Sequence, residues 1–159
     1  MIEKKIKNLK SLKKLIALYK KKKRKIVFTN GCFDILHYGH VKYLEEAKKK
    51  GDVLVVGVNS DSSVRKIKGK RRPLVNEKDR LRIVAALESV DYVTLFKETT
   101  PLNLIKGIKP DILIKGADWD RAHIVGAEFV EAYGGEVLTV PLVKNRSTSK
   151  LIKEIAKRF

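Results

Sequence analysis

The chain has 159 residues, 43% of them hydrophobic and 34% charged; that is enough for one domain with its own core, and no run of about 18 apolar residues is present to span a membrane. The formal net charge of +18 points towards polyanions, but residues 1–25 hold twelve Lys or Arg against one Glu, so +7 remains for residues 26–159 and no specific nucleic acid is expected as a partner. Cys32 is the single cysteine, which excludes an internal disulfide, and the N-terminus lacks the apolar stretch and cleavage site of a secretion signal, so the expected location is cytoplasmic with no membrane contact.

Ile6, Leu9, Leu12, Leu15, Ile16 and Tyr19 recur at helical spacing with lysines between them, which predicts an amphipathic helix over 8–20. Residues 1–24 are therefore read as a basic N-terminal helix and lead-in, packed on the edge of a domain spanning 25–159. Ile26–Thr29 predicts a short strand, followed by a helix from Gly39 to Lys50. Val53–Val58 is a nearly continuous apolar run, as expected of a strand buried on both faces. Asn59-Ser60-Asp61-Ser62 reads as a polar turn with a helix-cap signal, and Lys66–Pro73 as a basic loop. Glu77–Ser89 predicts a helix, Asp91–Leu95 a strand, and Thr100-Pro101 the start of another helix with proline at its first position. Ile112–Ile114 and Val137–Val140 predict the last two of five strands, with a helix over Gly126–Tyr133 between them. Ser147 opens a final helix running to Lys157. Strands alternating with helices argue for an α/β domain with a parallel sheet, in which ligands bind outside the carboxyl ends of the strands.

The most informative residues lie at one such end. His37-Tyr38-Gly39-His40 follows a strand and a turn and opens a helix, a place suited to holding phosphate. Nucleotidyl transfer builds negative charge on an α-phosphate, which aimed N–H donors stabilise more in the transition state than in the ground state. Gly39 lets phosphate approach the backbone, and His40 lies in the first helical turn, where the macrodipole adds positive potential. Lys42 is two residues further on and could reach a phosphate. Asp34 could order the turn or hold a metal; no residue is assigned to a metal site. Cys32 reads as a small buried residue. The segment Lys144–Ser149 gathers Arg146, Ser147, Thr148 and Ser149 at a helix N-terminus, a ready anion site.

The string Thr29–His40, including Asn30, Gly31, Phe33 and Asp34, resembles the signature of the cytidylyltransferase-like nucleotidyltransferases. That resemblance implies a Rossmann-like three-layer αβα sandwich with a five-stranded parallel sheet, and an HxGH motif at His37–His40. Arg146–Ser149 is similar to the family's second, ISTS-type signature, with Arg146 standing where that pattern carries Ile. Lys115, Gly116, Asp118 and Trp119 resemble the segment near base and ribose, with Trp119 placed to stack and Asp118 to accept from a sugar hydroxyl. Arg80 matches an arginine near the phosphates in glycerol-phosphate cytidylyltransferases. Lys66, Lys68, Lys70, Arg71 and Arg72 form either a basic lid or a solvated loop.

Over nearly the whole chain the resemblance is to the heptose 1-phosphate adenylyltransferases, which act in ADP-heptose and lipopolysaccharide precursor synthesis. It implies transfer of AMP from ATP to a sugar 1-phosphate, Mg²⁺ accompanying the triphosphate, and His37, His40 and Lys42 at the reacting phosphates. It also implies a homodimer, for which the Leu9–Tyr19 stripe is a candidate surface, and a stand-alone form whose sugar kinase is a separate chain. The rival substrates are CTP with glycerol 3-phosphate or a related phospho-alcohol, since the triphosphate motifs are shared. Outside this class stand a nucleotide sensor and a basic nucleic-acid-binding protein.

Overall fold

The computed structural model describes residues 1–159. Five strands form one parallel sheet: β1 (Ile26–Gly31), β2 (Val53–Asn59), β3 (Tyr92–Phe96), β4 (Ile112–Gly116) and β5 (Glu136–Val140), in the spatial order β3-β2-β1-β4-β5. The strand order reverses beside β1, so the gap between the carboxyl ends of β1 and β4 is the place where an open α/β sheet accommodates a ligand.

Seven helices cover the sheet: α1 (Leu9–Lys21), α2 (Tyr38–Lys48), α3 (Asp61–Lys68), α4 (Glu77–Ala85), α5 (Leu102–Ile108), α6 (Ala127–Ala132) and α7 (Thr148–Arg158). Alternation along the strands builds two cores, one on each face. Ile26, Phe28, Val53 and Val55 meet Leu12 and Ile16 of α1, Leu104, Ile105 and Ile108 of α5, and Val130 of α6. Val27, Leu54, Val56 and Val58 meet Leu44 and Ala47 of α2 and Leu81, Val84 and Ala85 of α4. All seven residues of β2 are buried, which accounts for its unbroken apolar sequence. The molecule is thus a Rossmann-like αβα sandwich.

Three local readings change. The cap signal at Asn59–Ser62 is real, with Ser60 Oγ accepting from the Ser63 N–H at 3.2 Å, but the helix it opens, Asp61–Lys68, runs into the segment read as a basic loop. The helix starting at Glu77 ends at Ala85, with Asn76 as its cap. The stripe on α1 is not a free surface: Leu12 and Ile16 lie in the chain's own core, so they are unavailable for a dimer. Ahead of α1, Ile6 bridges to Val93, and Lys7 N–H donates to Val93 O while Val93 N–H donates to Lys5 O, both at 2.9 Å. That strap covers the β3 edge, which would otherwise offer unpaired backbone groups. No helix is long and apolar enough to cross a membrane.

Candidate active site

A cleft of about 530 Å³ opens at the carboxyl ends of β1 and β4. Two helix N-termini reach it. The first is α2, entered through the turn 32–37. His37 is its N-cap, and the ring of His40, at the third helical position, stacks on the His37 ring with centroids 3.9 Å apart. The His37 N–H points at Nδ1 of His40 across a long 3.4 Å contact, which leaves Nε2 as the protonated nitrogen of a neutral imidazole. Burial, and after it the neighbouring His37, draws His40 down to about 4. Burial and then the Arg146 charge lower His37 as well. Nδ1 of His37 is buried without a hydrogen-bond partner, an orphan of the kind a ligand satisfies. A Cβ on Gly39 would sit 3.0 Å from ring atoms of His37 and 3.1 Å from Cβ of Arg146, so a side chain here would push against both signature segments where they meet.

The second N-terminus is that of α7. Ser147 caps it by accepting from the Lys150 N–H at 3.1 Å, and Oγ1 of Thr148 donates to Ile35 O at 3.1 Å, tying α7 to the turn before α2. The Thr148 hydroxyl proton is therefore engaged, while the N–H groups of Thr148 and Ser149, two residues that line the cleft, have no partner within the helix.

The floor and rim come from the strand ends. Lys115, only 8% exposed, donates from Nζ to Oδ1 of Asn30, and its Nζ lies 5.5 Å from the Trp119 ring centroid. Burial is the main cause that draws Lys115 down to about 8, opposed by Cys32 and Asp118. Trp119 is 49% exposed at the rim, available for stacking. Asp34 is buried and fully engaged: Oδ1 accepts from the N–H groups of Leu74 and Val75 at 2.8 and 2.9 Å, and Oδ2 accepts from Arg72. It is a turn-ordering aspartate that fixes the loop after α3. The cleft contains no group of three His, Cys, Asp or Glu side chains placed to hold a metal ion.

Of the residues singled out from sequence, Asn30, Gly31, Phe33, Asp34, His37, Gly39, His40, Lys115, Gly116, Asp118, Trp119, Arg146, Ser147, Thr148 and Ser149 line this one cleft. Two do not. Lys42 pairs with Glu46 at 3.1 Å and Glu45 at 3.7 Å along the outer face of α2, because a position two residues after His40 lies across the helix from it. Arg80 is wholly buried. Its guanidinium donates to Val75 O at 2.9 Å, to Asn59 O at 2.8 Å and to Cys32 O, and pairs with Asp61 at 2.7 Å, so it clamps three loops from behind instead of reaching a phosphate. Of the basic segment 66–72, Lys68 and Arg72 line the cleft, and Arg72 is held by Asp34. Asn59, at the carboxyl end of β2, lines it as well, and so do Tyr43, Thr99 and Thr100, which were not singled out. The signal for Tyr43 is its position three residues after His40, on the same helix face.

The cytidylyltransferase-like family model matches residues 28–156. The bifunctional protein HldE of Geobacter metallireducens is 53% identical over 155 residues, covering 98% of this chain and 32% of that protein. HldE of Trichlorobacter lovleyi is 50% identical over the same length and share. This chain spans about a third of the length of the curated relatives it matches. The lipopolysaccharide core biosynthesis protein from Thermoplasma volcanium superposes with a TM-score of 0.64 at 37% identity, covering 77% of this chain and 99% of that one. A pantoate-beta-alanine ligase from Francisella tularensis shares the fold alone, with a TM-score of 0.65 at 18% identity over 96% of this chain and 78% of that one.

Proposed function

We propose that this chain, which belongs to the cytidylyltransferase-like family, transfers AMP from ATP to heptose 1-phosphate, giving an ADP-sugar for lipopolysaccharide or another cell-surface glycan. It is a nucleotidyltransferase; the choice of nucleotide and acceptor is the proposed part. The observation that carries the reading is the meeting of two helix N-termini, one bearing the stacked His37–His40 pair and the other Arg146–Ser149, at a single cleft. The identity to HldE and the likeness to a protein described for lipopolysaccharide core biosynthesis support the acceptor class.

An oxygen of the sugar 1-phosphate attacks the α-phosphorus of ATP in line. One P–O bond forms, the bond from the α-phosphorus to the bridging oxygen breaks, and pyrophosphate leaves with that electron pair. The nucleophile is already anionic at neutral pH, so no strong general base is needed; the protein positions the phosphates and offsets their charge. His37 and His40 act on the α-phosphate as neutral N–H donors. Arg146, the Ser147 hydroxyl and the first N–H groups of α7 hold the leaving pyrophosphate. Asp118 and Trp119 take the ribose and base. With no cluster of His, Cys, Asp or Glu side chains in the chain to hold it, an Mg²⁺ ion would come with the nucleotide and would supply charge neutralisation at the phosphates. Residues 25–159 carry this site, with 1–24 as an outer layer, and a sugar kinase supplies the acceptor.

His40→Ala tests the reading. Removing an aimed donor is expected to lower kcat by about two orders of magnitude, roughly 3 kcal/mol. Turnover near that of the wild type would contradict the assignment.

A further inference from the structure

Four Lys or Arg side chains line the cleft: Lys68, Arg72, Lys115 and Arg146. Arg72 is neutralised by Asp34, and Lys68 and Arg146 are exposed at opposite rims, one closing α3 beyond β2 and the other preceding α7 beyond β5. Lys115 differs from all of these. It is buried on the floor at the end of β4, it takes part in no ion pair, and its one hydrogen-bond partner is the neutral amide of Asn30. An ammonium carries three donors, and one taken out of water without an anion is costly unless something else completes it.

Its place in the sheet says what that is. Asn30 lies on β1, the central strand, and the chain runs from it directly into the turn whose Phe33 ring packs 5.4 Å from the His40 ring. Lys115 is therefore tied, through Asn30, to the strand that runs into the segment presenting the histidine pair, and it lines the same cleft as that pair. In an in-line displacement the atom between the leaving and attacking groups is the α-phosphorus. We infer that the Lys115 ammonium binds the α-phosphate of the nucleotide from the floor of the cleft and is a further catalytic residue. This rests on the nucleotidyl-transfer reading but not on the identity of the acceptor. The lowered basicity of Lys115 is the cost of holding that charge before the phosphate arrives.

The test compares wild type with Lys115→Met, which keeps the stem and removes the charge. Thermal protection is titrated with AMP against adenosine, and with CMP against cytidine, so that the α-phosphate is the only difference within each pair. The variant without ligand is expected to melt at the wild-type temperature or above it, since an unpaired buried charge has gone. In whichever pair protects the wild type, the nucleoside should bind both proteins alike, while the variant binds the monophosphate about ten-fold or more weakly. Three results overturn the inference: monophosphate binding equal in both proteins, nucleoside binding lost in the variant, or no added protection from the phosphate in the wild type. A variant that melts far lower yet keeps its monophosphate affinity likewise makes Lys115 a structural tie to Asn30. Failure of the acceptor reading would leave all of these binding results unchanged.

Discussion

The backbone N–H of His37 contacts Nδ1 of His40 at 3.4 Å while the two rings stack at 3.9 Å, so the second histidine is held neutral with its remaining N–H free for a ligand. His40 sits at about 4 in the folded chain, against an ordinary value of 6.5. Above pH 6.5 both folded and unfolded chains carry a neutral imidazole, and its contribution to stability is complete. As pH falls from 6.5 towards 4 the unfolded chain takes up the proton first, so stability is lost across that window, by about 3 kcal/mol from this group. Urea unfolding of wild type and His40→Ala at pH 7.5, 5.5 and 4.5 checks this. The wild type should lose more stability than the variant between the first and last pH; parallel losses would contradict it.

Arg80 should behave as a structural residue. Arg80→Met removes donors from three backbone carbonyls and leaves Asp61 unpaired. Unfolding free energy is expected to drop by about 3–5 kcal/mol, measured by denaturant titration. A stable variant with a raised KM for the nucleotide would instead restore the arginine to the phosphate site.

Lys42 points the other way along the same reasoning. It is engaged with Glu46 on the outer face of α2. Lys42→Ala is expected to leave kcat and the nucleotide KM within about two-fold of wild type, in contrast to the effect of removing a group aimed at the transition state. A large fall in kcat would mean that α2 turns on binding substrate.

The N-terminal helix is part of the fold. Leu12 is wholly buried against the α5 side of the sheet. Leu12→Ala should cost about 2–5 kcal/mol of stability in the same assay. An unchanged midpoint would place α1 outside the cooperative unit.

How much of this is legible in the sequence follows from what each residue depends on. The sheet is legible because β2 and its neighbours are apolar runs bounded by turn residues, and parallel order follows from the helices between them. The cleft is legible because strand ends, glycine and helix caps are local signals. Of helix α3 only the cap is legible, since Val64 is its one buried apolar residue and the rest of its sequence is polar. Arg80 is hidden because a fully buried arginine needs partners from three separate loops, and nothing near it in sequence announces them. The direction of Lys42 is recoverable: a spacing of two never shares a helix face, whereas the spacing of three between His40 and Tyr43 does.

The most direct measurement is pyrophosphate release with Mg²⁺, pairing ATP or CTP with heptose 1-phosphate or glycerol 3-phosphate. The account predicts release with ATP and heptose 1-phosphate alone, reduced about a hundred-fold by His40→Ala. Release with CTP and glycerol 3-phosphate alone would contradict the proposed substrates, and no release from any pair would contradict the reaction assigned to this cleft.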